Sequence, residues 1–331
     1  MSEPQPGLPR LLRIVREPSA SLTHHDAARR VNAGELERVR PGVVRPVPVP
    51  LEAMDRFERH EERRKRYVDR VAAVATTRKS AAVFAGRSAL AIWDYAVTDD
   101  WPPDVELLEQ PGSARRSKRG VVVHRNPFDA EDVVPWGDRF VTSPARTLAD
   151  LARAGDFAAA VIALDHALSD RVDAARRVTK EEIAEILERA SGRGLARAQQ
   201  VLEFADGRSG SGGESLSRVG IHLMGFEPPE RQVRHPHPGG YYDSDFWWPP
   251  TRFRPPTIGE FDGIMKYLRE DMRGGADASQ IVVVEKLRED FLRGEGNGFT
   301  RWGWREARTP VRLLRPLLLR AGIRIVRRPL I

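Results

Sequence analysis

The apolar positions of the chain change period several times, and each change marks a predicted element. Over the first 50 residues, "LPRLLRIV" (8–15), "LTHHDAARRV" (22–31) and "AGELERVR" (33–40) each read as a short helix. "GVVRPVPV" (42–49) reads as an extended piece ended by prolines. Residues 51–76 form a charged helix with a sparse stripe of Met54, Phe57, Tyr67 and Val71, and its "HEERRKR" segment is a solvated face of mixed charge. A mixed α/β pattern follows. "SAAVFAGRSALAIWDY" (80–95) is a strand turning at Gly86 into a helix capped by Ser88, and "DVELLEQ" (104–110) and "GVVVHRN" (120–126) are strands. "TSPARTLADLARAG" (142–155) starts a helix, with Ser143 as N-cap and Pro144 at the first helical position, and helices run on to about residue 204.

"ADGRSGSGG" (205–213) has the composition of a flexible linker and places the main domain boundary. Beyond it the order is helix, strand, strand, helix, strand, helix. "GESLSRVGIHLMGF" (213–226) is a helix with Leu216, Val219 and Leu223 on one face and Glu214 in its first turn. "GGYYDSDFWWP" (239–249) is a strand with Asp243, Asp245 and Trp247 on one face and Tyr242, Phe246 and Trp248 on the other. "TIGEFDG" (257–263) is a strand with Ile258, Glu260 and Asp262 sharing a face. "ASQIVVVEKLREDFLRG" (278–294) is a helix with Ile281, Val284, Leu287 and Phe291 as its stripe. "FTRWGW" (299–304) is a strand that adds Arg301 near the acids, and "TPVRLLRPLLLRAG" is a closing helix. The "HPHP" run (235–238) reads as a solvent loop, because two histidines among prolines make a poor zinc site. The large aromatics flanking the strand acids read as core walls.

Composition narrows the class. The 331 residues suit two or three domains, and 40% apolar with 31% charged residues supports real cores. There is no cysteine, so disulfides, thiolate metal sites and a Cys nucleophile are excluded. No apolar run approaches the ~20 residues of a membrane span. The "MSEPQPGLPR" start lacks a signal-peptide core, and a soluble cytoplasmic protein is expected. Net charge is +7, and only six of the 54 basic residues are lysine. Guanidinium matches phosphate with two parallel hydrogen bonds, so a polyanion partner fits, although an arginine-rich codon usage gives the same surplus.

Short helices followed by a basic extended piece form the pattern of a winged helix-turn-helix, with a third helix entering a major groove and Arg38, Arg40 and Arg45 near phosphates. A plain three-helix cap with those arginines solvated has the same pattern. "VFAGRSALAIW", "VVVHR" and "TSPARTLADLA", in that order after such a start, resemble the AbiEi-type antitoxin family of bacterial type IV toxin–antitoxin systems over roughly residues 10–200. The resemblance implies a repressor-like N-terminus and a small α/β domain that counteracts a nucleotidyltransferase toxin. The family's usual wing end is here "PGVVRP". Ser88, His124, Ser143 and Arg146 suggest a hydrolase set, but no nucleophile elbow accompanies them. Ser88 and Ser143 read as helix caps and His124 as a partly buried strand residue.

If the strands of Asp245 and Glu260 pair as neighbours, the two carboxylates converge. Like charges that close raise a pKa unless a cation sits between them, and hard Mg²⁺ or Mn²⁺ ions take such ligands. Lys266 is then placed to orient water or stabilise charge, Glu214 to complete the shell, and Arg288 to face the site. Acid, spacer, acid and lysine on a strand pair resemble the PD-(D/E)XK nuclease fold, and the order Glu214, Asp245, Glu260–Gly263 and "EKLREDFL" resembles its Vsr-like branch over residues 213–325. In that family the lysine follows the second acid by two positions, where this chain has Asp262, itself a further candidate ligand; Lys266 comes four residues later.

The expected fold is α/β: a winged helix-turn-helix (1–50), a mixed α/β domain with helical extension (51–204), a linker (205–213) and a restriction-endonuclease-like α/β sandwich (214–331). Two functions remain open. One is a Mg²⁺- or Mn²⁺-dependent nuclease acting on DNA rather than RNA, with Asp245, Glu260 and Lys266 catalytic. The other is a non-catalytic DNA-binding antitoxin or regulator. Arg38, Arg40, Arg45, Arg288 and Arg301 are the expected nucleic-acid contacts, and a nucleotidyltransferase toxin is the implied protein partner.

Overall fold

The computed structural model describes residues 12–13, 22–78, 82–98, 100–262 and 278–331. The chain divides into two units, residues 1–156 with 170–203, and residues 157–169 with 204–331. The Gly/Ser stretch expected as the linker therefore falls within the second unit, as does the helix at 157–168.

The first unit opens with β1 (Leu12–Arg13), α1 (His24–Asn32), β2 (Leu36–Arg40) and β3 (Val43–Pro46), the strands forming an antiparallel sheet in the order β1-β3-β2. Thr23 caps α1 by accepting from the Asp26 backbone N–H at 3.1 Å. The helix expected over 33–40 is strand β2, and Leu12–Arg13 within the expected 8–15 helix are strand as well. The physical reason lies in Pro41-Gly42. Gly42 takes φ +83°, which closes a tight hairpin and pairs Arg38 with Val44. Buried Leu36 and Val44 then pack on Ala27 of α1, and this packing overrides the helical propensity of "ELERVR".

After α2 (Arg56–Thr77) comes a five-stranded mixed sheet in the order β6-β5-β4-β8-β7. Its strands are β4 (Val83–Phe84), β5 (Val105–Glu109), β6 (Val121–Arg125), β7 (Val133–Trp136) and β8 (Arg139–Thr142), with helix α3 (Gly86–Trp93) following β4. The β7–β8 hairpin is an element the sequence pattern does not predict. Ser143 caps α4 (Pro144–Ala154) as expected, accepting from Arg146 N–H at 3.2 Å. Ser88, by contrast, lies inside α3 and not at its cap, which is Ala85. Its hydroxyl accepts from Glu106 N–H at 2.9 Å and meets the Tyr67 hydroxyl at 3.1 Å, tying α2, α3 and β5 together. Helices α6 (Lys180–Arg189) and α7 (Leu195–Phe204) follow.

The second unit holds α5 (Phe157–Leu168), α8 (Gly212–Leu223), and a sheet of β9 (Glu230–His237), β10 (Gly240–Trp248), β11 (Thr257–Phe261) and β12 (Gly298–Trp302) in the order β12-β11-β10-β9. The pairs are antiparallel except β11–β12, which is parallel, with α9 (Ala278–Gly294) between them in sequence. Helix α10 (Trp304–Arg308), a π-helical turn (Pro310–Leu314) and α11 (Arg315–Arg320) close the unit. Phe246, Trp248, Phe261 and Trp302 form the core with Ile221, Leu314 and Leu318, so two of the expected core-wall tryptophans are buried. Residues 235–237 of the "HPHP" run are strand and not loop, with Pro238 in the turn that follows: Pro236 pairs with Tyr241 and His235 with Tyr242, and Pro236 is tolerated because β9 is an edge strand. Among the described residues no helix is long and apolar enough to cross a membrane.

Candidate functional site

Alternation along β10 and β11 sends Asp245 and Glu260 toward the same place. Their antiparallel register sets Phe246 opposite Gly259, which brings Asp245 beside Glu260. The Phe261 N–H donates to Asp245 Oδ2 at 2.8 Å, fixing that carboxylate on the strand pair. Glu214 arrives from α8. A Cβ on the neighbouring Gly213 would stand 2.1 Å from ring carbons of Phe261, so glycine is what lets the first turn of α8 lie directly on β11. Glu214 is held there by Ser211, the α8 N-cap, and by Gly210 N–H at 2.7 Å. Gln232, at φ +50° in β9, adds its side-chain N–H to Glu214 Oε2 at 3.0 Å. A non-glycine residue in that left-handed region marks local strain that the surroundings must hold.

Electrostatics bind the three acids into one group. Burial raises the Asp245 carboxyl well above its ordinary value, and the nearby charges of Glu214 and Glu260 push it further the same way. Arg288 of α9 supplies the counter-charge. Its Nη2 donates to Glu260 Oε1 at 3.0 Å and to the Asp243 carbonyl, and both charged side chains are largely buried. Arg288 and buried Leu292 therefore mark the inward side of α9, while Leu287 is 61% exposed. Of the expected stripe, Leu287 faces outward while Phe291 packs against His237 and Tyr242, and the side chains of Ile281 and Val284 lie outside the described residues. The Arg288–Glu260 pair and the packing of Leu292 fix the rotation of the helix instead.

Three carboxylates are a hard-cation donor set in type, and each already accepts hydrogen bonds from the protein. Glu214 accepts from three donors, Asp245 from a backbone N–H, and Glu260 from a guanidinium. Among the described residues no cluster of three or more His, Asp or Glu is arranged to hold a metal ion. In this arrangement the guanidinium of Arg288 is the counter-charge that Glu260 meets. Lys266 lies outside the described residues, and Asp262 stands at the end of β11 with its N–H donating to the Trp302 carbonyl.

The arginines expected at nucleic acid divide into two kinds. Arg45 is clamped between Glu37 and Asp69, and Arg301, though level with Glu260 in the β11–β12 register, reaches Glu289 at 3.3 Å. Arg38 is exposed on β2 and Arg40 half-buried. Sequence reasoning missed Gln232 and the buried Asp165–Arg218 pair of the second unit, whose partners are far apart in the chain and carry no spacing signal.

In the first unit a second charged cluster joins α4 to α6. Arg146, buried, donates to Asp132 at 2.7 Å and Asp150 at 2.9 Å, and Arg189 reaches Asp129 and Asp132. Beside it lies a cavity of about 120 Å³ lined by Phe128, Asp150, Arg153 and Ile186 among others. Burial raises the Asp150 carboxyl against the opposing pull of Arg146. His124, expected to be partly buried, is exposed, and its Nε2 lies 3.0 Å from Glu106 Oε2, which raises its pKa.

Proteins MT2308 and Rv2248 of Mycobacterium tuberculosis (strains CDC 1551 / Oshkosh and ATCC 25618 / H37Rv) are each 33% identical over 150 residues, 45% of this chain. The chain spans about half the length of these curated relatives, 52% in each case. The crystal structure of the RV2827C protein from Mycobacterium tuberculosis aligns over 57% of this chain and 66% of its own at 17% identity. Its TM-score of 0.33 is too low to carry an argument about fold. Residues 71–204, the span that holds the mixed sheet and the Asp132–Arg146–Asp150 cluster, match the family model of the AbiEi antitoxin C-terminal domain.

Proposed function

We propose that this chain is a DNA-binding regulator of the antitoxin type, in which residues 71–204 oppose a toxin partner and the C-terminal unit is a nuclease-like scaffold that does not cleave. The match of residues 71–204 to the AbiEi antitoxin C-terminal domain carries this reading. The nucleotidyltransferase class of the toxin follows from the family resemblance. The α1 helix with the β2–β3 hairpin beside it is the DNA-contacting element, with Arg38 and Arg40 on the hairpin. In the C-terminal unit Arg288 takes the place beside Glu260 that a metal-dependent nuclease needs for its cation. Two experiments test the proposal. The full chain should retard a duplex carrying its own promoter in a gel shift, and its co-expression should relieve growth arrest by a nucleotidyltransferase encoded beside it. Absence of both effects removes the reading.

A second reading is favoured by one observation. Glu214, Asp245 and Glu260 are held together at an electrostatic cost to Asp245, which a scaffold alone does not require. On this reading the unit hydrolyses phosphodiesters with Mg²⁺ or Mn²⁺ once Arg288 leaves Glu260, with Lys266 and Asp262 completing the set. Mg²⁺-dependent cleavage of DNA by the wild type, abolished in Glu260→Ala, would establish it. No cleavage with either metal sinks it.

A further inference from the structure

The last 31 residues, 301–331, contain nine arginines and a single acid, Glu306. That surplus of eight exceeds the +7 of the whole chain, so residues 1–300 together are slightly acidic. The basic character of the protein is therefore local. Five of the nine arginines stand on the closing helical segment. Arg305, Arg308, Arg312 and Arg315 recur three, four and three residues apart and are all exposed, with Arg320 one turn further on. Ala307, Leu314 and Leu318 of the same segment are buried in the core of the unit. Among the described residues Arg305, Arg312, Arg315 and Arg320 make no ion pair, whereas Arg218, Arg254, Arg288 and Arg301 of the same unit are each paired with a carboxylate.

We infer that this arginine-lined face of α10, the π-helical turn and α11 is a binding surface for the sugar-phosphate backbone of duplex DNA. The inference rests on the DNA-binding part of the proposed function and gives that activity a second surface, in the other unit of the chain. A solvated helix face ordinarily mixes charge signs, and this one does not. The four guanidinium groups stand on three short consecutive helical pieces, α10, the π-helical turn and α11, and duplex DNA offers one phosphate charge per about 1.7 Å of its axis for them to neutralise. A membrane surface fits less well, since a helix lying on lipid needs a continuous apolar side outward, and here Ala307, Leu314 and Leu318 are in the core and only Val311 and Leu319 of the segment's large apolar side chains are exposed. At one end of the face the side chain of Arg254 lies 3.4 Å from where a Cβ on Gly322 would stand, and the neighbouring Phe253 is 86% exposed.

The test uses the full chain and a fluorescein-labelled duplex of arbitrary sequence, with affinity followed by anisotropy between about 50 and 200 mM salt. The triple variant Arg305→Gln/Arg312→Gln/Arg315→Gln, checked for an unchanged melting temperature, should bind more weakly. Its log affinity–log salt slope should be shallower by about 2.7, or 0.9 for each phosphate no longer neutralised. The corresponding triple lysine variant should keep the wild-type slope. A glutamine variant with the wild-type slope overturns the inference, and if Arg38→Gln/Arg40→Gln then abolishes binding, the proposed function stands without it. Failure of the wild type to bind duplex at all removes the DNA-binding reading itself. Binding to phosphatidylserine vesicles that disappears in the glutamine variant, with DNA binding unchanged, assigns the face to membrane and also overturns the inference.

Discussion

Arg218 and Asp165 meet through a single nitrogen: Nη2 donates to both carboxylate oxygens, at 2.9 and 2.7 Å, with both side chains buried. The same guanidinium donates to the Phe204 carbonyl and lies over the Phe204 ring. Asp165 also accepts from the Asp206 N–H at 2.6 Å and from the Ser209 hydroxyl. The Gly/Ser-rich stretch after residue 204 is thereby pinned to α5. Arg218→Met should lower the stability of the second unit by about 3–5 kcal/mol, because it leaves a buried carboxylate without its cation. The double variant with Asp165→Asn should lose less than the sum of the single losses. Urea midpoints followed by tryptophan fluorescence give both numbers.

Gly213→Ala tests the close approach of α8 to β11. The added methyl would meet the Phe261 ring, and overpacking of this kind costs about 1–3 kcal/mol. Part of the loss should return in Gly213→Ala/Phe261→Leu, measured as melting temperature.

Asp245 makes the second unit sensitive to pH in a definite direction. Its carboxyl is raised in the folded chain above the ordinary 3.8, so the folded state holds the proton that the unfolded state releases. Stability should fall as pH rises from about 3.8 through the raised value. Asp245→Asn keeps an acceptor for the Phe261 N–H and removes the charge. It should melt higher than wild type at pH 7, with the advantage shrinking as pH falls toward 3.8. A constant difference across the range would contradict the electrostatic coupling of the three acids.

Arg288→Ala should expose the carboxylates to a competing cation. The variant should melt lower than wild type without metal, and Mg²⁺ should raise its melting temperature more than it raises that of the wild type. Equal responses in the two proteins would show that the guanidinium and the metal do not compete.

Arg45 and the Arg38–Arg40 pair should separate in function. Arg45→Gln breaks its ion pairs with Glu37 and Asp69, so it should reduce stability and leave the DNA affinity of the folded protein unchanged. Arg38→Gln/Arg40→Gln should do the reverse. Melting curves and anisotropy on the same preparations distinguish the two effects.

What the sequence makes legible follows the strength of its local signals. Strand β11 and helix α9 stand where apolar patterning and glycine punctuation put them, and Pro144 with Ser143 marks the start of α4. Strand β2 reads as helix because Glu, Leu and Arg are good helix formers, while the Pro-Gly turn that makes it half of a hairpin lies just outside the segment. The pairing of Arg288 with Glu260 needs the rotation of α9, which Leu287 and Val283 obscure by being apolar and exposed. Convergence of Asp245 and Glu260 is legible because it follows from strand parity alone. The positive surplus over residues 301–331 is visible in the sequence throughout, but only the exposure of five of its arginines on the closing helical segment gives it a place.

The Asp165–Arg218 pair also sets an order of events during synthesis. Helix α5 emerges about 50 residues before Arg218, so its buried acid must wait, solvated, while α6 and α7 are made. A fragment cut at the Gly/Ser stretch would start beyond α5 and keep Arg218 with no acid to receive it. The shortest piece of this chain that can fold as the C-terminal unit is thus expected to begin at or before Phe157, inside the sequence of its neighbour.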